Sequence, residues 1–163
     1  ARFEWILEKG TELGVSAFAP ILCRRSMAGL DAAGAAKILR WQRIVQEATE
    51  QCGRVTLPEL LPIRPLAKAL GEMPTDSLAI MPWEEAAGRS LRDVLVNTQT
   101  RAANTVLPQT IHLFIGPEGG LTPDEATLAR SHGVQIVTLG PRILRAETAA
   151  LACVASIMFA LEG

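Results

Sequence analysis

A chain of 163 residues, 48% hydrophobic and 20% charged, suits one domain with a full core. Its longest apolar run, 149–161, is interrupted by Ser156 and too short for a bilayer, and residues 1–15 carry charges throughout, so neither a membrane span nor a signal peptide is legible. The net charge of −1, with 13 Arg and 3 Lys among the cations, excludes the overall basic field that grips nucleic acid tightly, and the widely spaced Cys23, Cys52 and Cys153 exclude a metal set and read as reduced thiols of a cytoplasmic protein.

In chain order, residues 2–13 predict a helix with Phe3, Ile6, Leu7 and Leu13 near one face and Gly14 as its stop. Residues 16–23 are nearly all apolar, as a strand covered on both faces would be. Arg24-Arg25-Ser26 follows at the strand's end, as a phosphate contact or an ordinary charged loop. Small residues at 31–34 read as a loop. Residues 35–52 predict the longest helix, with Ile38, Trp41, Ile44, Val45 and Ala48 as its buried stripe and Arg40, Arg43, Glu47 and Glu50 elsewhere; Gly53 ends it and Arg54 follows. Then come a strand at 55–61, a short helix at 66–70, a buried strand at 77–81 followed by Pro82-Trp83-Glu84-Glu85, a helix at 88–96 and an exposed polar connection at 97–109.

The next stretch organises the rest. Ile111-His112-Leu113-Phe114-Ile115 reads as a strand and runs into Gly116-Pro117-Glu118-Gly119-Gly120-Leu121. Thr122 then predicts a helix N-cap, with Pro123 at the first helical position and Asp124 and Glu125 in the first turn. A strand, a glycine loop and a helix make a ligand site in α/β sheets. Neither a P-loop nor a dinucleotide fingerprint fits the order G-P-E-G-G, and Glu118 would repel a phosphate. A second junction of the same kind follows: a strand at 134–138, the loop Leu139-Gly140-Pro141-Arg142-Ile143-Leu144-Arg145-Ala146-Glu147-Thr148, and a long apolar helix. Alternating strands and helices predict an α/β fold, a mostly parallel sheet of about five or six strands with helices on both faces.

The paired motifs G-P-E-G-G-L-T-x-x-E and L-G-x-R-I-L-R-x-E-T-A resemble the SPOUT class of knotted methyltransferases. Within that class they resemble the RsmE-type family, which methylates N3 of a uridine in small-subunit (16S) ribosomal RNA. Upstream, Lys9-x-Thr11-Glu12-Leu13-Gly14-Val15 and Arg40-Trp41-x-Arg43-Ile44-x-x-Glu47-Ala48-x-Glu50-Gln51 look like further motifs of that family, in order. The resemblance spans nearly the whole chain. It implies that residues 1–163 are a SPOUT catalytic domain with a C-terminal trefoil knot, and that an N-terminal PUA-like RNA-binding domain belongs before it.

The resemblance also implies S-adenosylmethionine (SAM) as cofactor. Leu139, Gly140, Ile143 and Leu144 would hold its adenine, with Ile115, Gly116 and Gly119 opposite and the 82–85 loop as a third wall. Glu118 either meets the ligand's ammonium or ribose or caps the Gly119 and Gly120 amides. Arg142 and Arg145 are the expected catalytic residues, stabilising charge on the uracil oxygens as the N3 proton leaves. Arg25, Arg43 and Arg54 are the expected RNA contacts. Glu147 is either a base or a first-turn structural residue. No metal set is present, and His112 and His132 have no assigned part. A ribose 2′-O methyltransferase and a non-catalytic SAM- or RNA-binding module are the competing readings. The last helix is apolar around its circumference, which predicts a homodimer built on it.

Overall fold

A computed structural model describes residues 2–26, 34–104, 108 and 110–162. The first helix, α1 (Arg2–Glu12), packs on the longest one, α2 (Ala35–Cys52), through a cluster of Leu7, Phe18, Trp41 and Val45, all buried. Phe3 meets Trp41 edge-on at 4.7 Å, and Arg40 pairs with Glu4 at 2.8 Å on the outside of the contact. Both helices stop where the glycines predict. Gly53 closes α2 in the left-handed region at φ 75, and Gly14 follows α1 at φ 101. The α1 end carries an additional brace: Arg54 Nη1 donates to the carbonyls of Thr11 and Val15 at 2.9 and 2.8 Å. Carbonyls at a helix C-terminus lack intrahelical donors, and a guanidinium satisfies them.

The apolar stretch 16–23 divides into β1 (Ala17–Phe18) and β2 (Ile21–Leu22). Pro20 lies between them and has no N–H to give a ladder, so one continuous strand is interrupted there. β1 pairs in parallel with β3 (Glu59–Leu60), and β2 with β4 (Arg64–Pro65), which leads into α3 (Leu66–Gly71). The expected strand at 55–61 is therefore short; Val55 and Leu57 are exposed rather than buried.

The central sheet is β5 (Leu78–Pro82) between β6 (Ile111–Leu113) and β7 (Gln135–Val137), all parallel. Side chains of β5 alternate between two cores. Ala79 and Met81 pack with Leu66, Leu70, Phe114 and Ala129, under α3 and α5 (Pro123–Ser131). Ile80 packs with Val94, Leu95, Cys153 and Ile157, under α4 (Leu91–Ala102) and α6 (Ala146–Glu162). The mixed α/β class with parallel strands and two covered faces is as expected. The strand count differs: the described residues form three short parallel sheets, of two, two and three strands, not one sheet of five or six.

Two helix starts are built alike. Thr122 accepts from the Glu125 amide while Glu125 accepts from the Thr122 amide, with Pro123 in the first turn. Ser90 and Asp93 form the same reciprocal box ahead of α4. That cap begins α4 later than residue 88. The helix also runs on to Ala102, through polar residues expected to be a connection, and along it the Thr98 and Thr100 hydroxyls donate to the carbonyls of Val94 and Val96. Residues 31–33 of the loop expected at 31–34, and part of the 97–109 connection, lie outside the described residues.

Leu7 has no exposed surface, so Leu7→Ala should lower stability by about 2–5 kcal/mol. Val55→Ala should change it by less than about 0.5 kcal/mol, since Val55 is fully exposed. Urea unfolding of both variants checks the pair, and equal losses would contradict this core assignment. A second outcome concerns acid. Burial pushes the Glu125 carboxyl up, but hydrogen bonds from the Thr122 and Arg24 amides, the Thr122 hydroxyl and the Cys23 thiol outweigh it and hold the pKa below the ordinary 4.5. The depressed value means Glu125 contributes stability above pH 4.5, and that contribution disappears as pH falls through the folded pKa. The stability gap between wild type and Glu125→Gln should therefore be largest near neutrality and shrink below pH 4.5. A gap that stays constant from pH 6 to pH 3 would refute this (these two pH values being about the ordinary working range around a carboxylate's titration).

Candidate active site

Parallel strands exit a sheet at one edge, so the loops after β5, β6 and β7 must share the edge where ligands bind in α/β folds. The structure brings these three loops together. Trp83, one residue past β5, donates its amide to Val137 O at 3.1 Å and its indole Nε1 to Leu121 O at 3.2 Å. The same β5 loop returns to the β7 loop: Thr138 N donates to Arg89 O at 3.0 Å and Leu91 N to Thr138 O at 3.2 Å.

The glycine loop after β6 is shaped by close approach. A Cβ on Gly116 would lie 2.8 Å from Leu121 Cγ, and one on Gly119 would lie 2.9 Å from Arg25 Cβ and 3.0 Å from Arg25 O. Gly120 turns through φ 79 and donates to Pro117 O at 2.9 Å. Arg25 reaches the loop from the end of β2, with Nη1 3.4 Å from Gly119 O. Next to it, Arg24 N donates to Glu125 Oε2 at 3.0 Å, which fixes the Arg24-Arg25 turn to the start of α5.

The loop after β7 hinges on Gly140, at φ 110 with open space where a side chain would stand. Thr138 Oγ1 accepts from Gly140 N at 3.2 Å and stabilises that turn. Ile115, Gly116, Leu139 and Leu144 are half-buried. Among the described residues, no hydrogen bond uses the amides of Leu139, Ile143 or Leu144. Half-buried aliphatics beside free backbone groups fit a flat heterocycle that needs both contact and hydrogen bonds.

The expected site residues fall into groups. Ile115, Gly116, Gly119, Leu139, Gly140 and Leu144 lie on the converging loops, and Arg25 backs them. Ile143 lies on the same loop but is 80% exposed, whereas Leu139 and Leu144 are half-buried, Leu139 against the core under α4 and α6. Arg142 and Arg145 are exposed at the loop's rim, and neither has an ion pair among the described residues. Glu118 does not cap the glycine amides: Gly120 N goes to Pro117 O, and the Glu118 carboxylate is 3.2 Å from Arg2. Arg43 is exposed on α2, which packs chiefly on α1. Arg54 braces the end of α1, with Nη1 donating to the carbonyls of Thr11 and Val15.

Arg2 was not singled out by sequence. Its guanidinium spans Glu118 at 3.2 Å and Glu147 at 3.7 Å, joining α1 to the glycine loop and to the first turn of α6. Nothing local marks it, because its partners lie more than a hundred residues away. Glu147 Oε2 is buried without a hydrogen-bond partner among the described residues, and so is His112 Nε2. Burial pushes the His112 pKa below 6.5, which keeps the ring neutral. Burial, then the nearby Glu125 carboxylate, pushes the Cys23 thiol up to about 12, so it stays protonated and is no nucleophile. Among the described residues there is no group of His, Cys, Asp or Glu that could hold a metal, and no helix is long and apolar enough to cross a membrane.

Comparison with known proteins agrees with this geometry. The family described as RNA methyltransferase domain matches residues 1–158. The chain is 33% identical over 165 residues to a ribosomal RNA small subunit methyltransferase E of Bacillus subtilis, covering 99% of this chain and 62% of the relative. It is 37% identical over 161 residues to the protein of that name from Synechocystis, covering 98% of this chain and 50% of the relative. The crystal structure of a ribosomal RNA small subunit methyltransferase E from Neisseria gonorrhoeae, bound to S-adenosyl methionine, superimposes with a TM-score of 0.80 at 36% identity, over 97% of this chain and 60% of that one. This chain thus spans between half and two thirds of the length of these relatives. The match over residues 1–158 places the chain in the RNA methyltransferase domain family, with the ribosomal RNA small subunit methyltransferase E proteins named above as relatives similar to it.

Proposed function

We propose that residues 1–163 act as a SPOUT catalytic domain that uses SAM to methylate N3 of a uridine in small-subunit ribosomal RNA. The observation that carries this is the meeting of three loops at one edge of β6-β5-β7, two of them glycine turns with bare backbone. Bound SAM supplies an activated methyl group. The protein's part is to hold and orient. Ile115, Leu139 and Leu144 exclude water from the adenine, and the backbone at 116 and 139–144 supplies its hydrogen bonds. Glu118, held by Arg2, presents a carboxylate toward a cationic or hydroxyl group. Arg142 and Arg145, exposed and unpaired at the rim, face an incoming base and stabilise the negative charge that develops on uracil O2 and O4. Arg25 supplies a nearby phosphate contact. Glu147 reads as structural: one carboxylate oxygen faces Arg2, and the residue sits in the first turn of α6. The reading carries with it the trefoil knot of the SPOUT class and a cytoplasmic site of action, where ribosomal RNA is found.

The test is methylation of small-subunit RNA lacking the modification, followed by digestion to nucleosides and mass spectrometry. N3-methyluridine is expected; a 2′-O-methyl nucleoside would replace this reading with ribose methylation. Arg142→Ala and Arg145→Ala should each lower the rate by about 2.7–4 kcal/mol of transition-state stabilisation while leaving SAM affinity by calorimetry close to that of wild type. Unchanged rates in both would remove these arginines from the mechanism. Gly140 is a poor probe of the pocket, because any side chain at φ 110 strains the turn whether or not ligand is near.

The homodimer belongs to the same proposal. One face of α6 buries Ala150, Cys153 and Ile157. The opposite face exposes Ala152, Ala155, Ser156 and Phe159, the last at 86%. Those positions recur at helical spacing and form an apolar stripe with small residues, which a two-fold copy of the same helix can cover. Light scattering at micromolar concentration should give twice the chain mass, and Ala155→Glu should give monomer or aggregate. A monomer for the unmodified chain would end the dimer reading.

A further inference from the structure

We infer that the cleft along the start of α4, lined by Gly88, Arg89, Arg92, Asp93, Val96 and Asn97, is a docking site for the RNA phosphate backbone, separate from the Arg24-Arg25 turn. The cleft is about 500 Å³ and open to solvent. The inference rests on the reading of the chain as an RNA methyltransferase.

Three observations carry it. First, the cleft adjoins the second ligand loop through the main chain. Ser90 forms a parallel bridge with Thr138, Thr138 N donates to Arg89 O at 3.0 Å, and Leu91 N donates to Thr138 O at 3.2 Å. A strand of RNA held here runs past the Thr138-Gly140 loop where the base must be presented. Second, the charge in the cleft is available to a ligand. Arg92 has no ion pair among the described residues, and Arg89 bonds only to the neutral Gln135 side-chain oxygen. The one acid, Asp93, is already engaged: its carboxylate accepts from Ser90 N at 2.9 Å as part of the α4 cap. Hydrogen bonds from the Ser90 amide and then the Ser90 hydroxyl hold its pKa below 3.8, and the Arg89 and Arg92 charges add to the shift, so Asp93 stays ionised in the α4 cap and the two guanidiniums leave the cleft with an excess of positive charge. Third, the chain as a whole has a net charge of −1. RNA affinity scales with the phosphates that cations meet, so the share that residues 1–163 contribute comes from local concentrations of Arg. The guanidiniums of Arg89, just before the α4 cap, and Arg92, in its first turn, supply one, and arginine's planar fork matches phosphate. Many other cations are committed elsewhere: Arg40 to Glu4, Arg64 to Glu72, Lys9 to Glu8 and Glu12, and Arg54 to backbone carbonyls. Half-exposed Val96 provides an apolar floor on which a sugar can rest.

The experiment measures binding of a fluorescent small-subunit RNA fragment across a salt series, for wild type, Arg92→Gln, the double variant Arg89→Gln/Arg92→Gln, and Lys37→Gln as a charge control on α2. SAM titration by calorimetry is run on each, so that a variant with an altered fold is recognised. Arg92→Gln should lower the slope of log K against log salt by about 0.7, the share of one phosphate contact on single-stranded RNA. The double variant should lower it by about twice that and weaken binding roughly tenfold at low salt. The loss should be similar for unrelated RNA sequences, as a backbone contact requires. Lys37→Gln should match wild type, and SAM affinity should be unchanged throughout. If the wild type binds and methylates RNA but the Arg variants keep its slope, the cleft is not an RNA site while the proposed function stands. If the wild type neither binds nor methylates RNA, the functional reading fails and this inference with it. A loss in the Arg variants matched by Lys37→Gln also overturns the assignment, since it would report net charge alone.

Discussion

β5 hydrogen-bonds to a parallel strand on each side, and its side chains alternate between two separate cores. Parallel pairing leaves no freedom about where the chain emerges: all three strands deliver their following loops to one edge. The alternation then requires helices on both faces, because neither Ala79 and Met81 nor Ile80 can face water without loss of burial. The position of the ligand loops, the packing of α3 and α5 on one side and of α4 and α6 on the other, and the crossing of Trp83 to both neighbouring loops all follow from that arrangement.

The site built on this edge divides its labour between backbone and side chains. Glycines at 116, 119 and 140 permit close approach and sharp turning, while Arg25, Glu118, Arg142 and Arg145 stand around them with charge. Polar contacts join segments distant in sequence: Arg2 ion-pairs with Glu118 and Glu147, and Glu125 joins the β2 end to α5 by accepting from the Arg24 amide. The bridge from Arg2 is partly exposed, so its energetic worth is small. Its effect is geometric, since it keeps the glycine loop and the first turn of α6 in register with α1.

What the residues alone revealed was whatever depends on near neighbours. The start of α5 was legible because Thr122, Pro123 and Glu125 carry the whole cap within four positions. The end of α2 was legible because Gly53 alone can supply the left-handed turn. The two glycine loops were legible as turns that follow strands, because the glycines sit directly after the apolar runs of β6 and β7. Less local features were hidden. Pro20 divides an apolar run whose composition otherwise reads as one strand. Val55 and Leu57 are apolar yet exposed, which no periodicity forecasts. The polar tail of α4 continues a helix whose cap, Ser90 with Asp93, and buried residues Leu91, Val94 and Leu95 all lie upstream of it. Arg54 bears the same charge as any candidate RNA contact, and only the folded chain shows its guanidinium turned onto Thr11 and Val15.

Gly119 and Arg25 touch across 94 positions of sequence. A Cβ at 119 would meet the Arg25 carbonyl oxygen at 3.0 Å, besides its Cβ at 2.9 Å. Every amino acid has that carbonyl, so a replacement at 25 can relieve the side-chain contact alone, and a larger residue at 119 still needs the main chain at 25 to shift. The pair is therefore coupled in one direction only. Position 119 is confined to glycine by the path of the neighbouring main chain, whereas position 25 is free to vary as far as this contact is concerned. Among sequences that keep this fold, two residues in direct contact should consequently show almost no pairwise covariation, and a contact map inferred from correlated substitutions would miss the place where the β2 end is seated on the ligand loop.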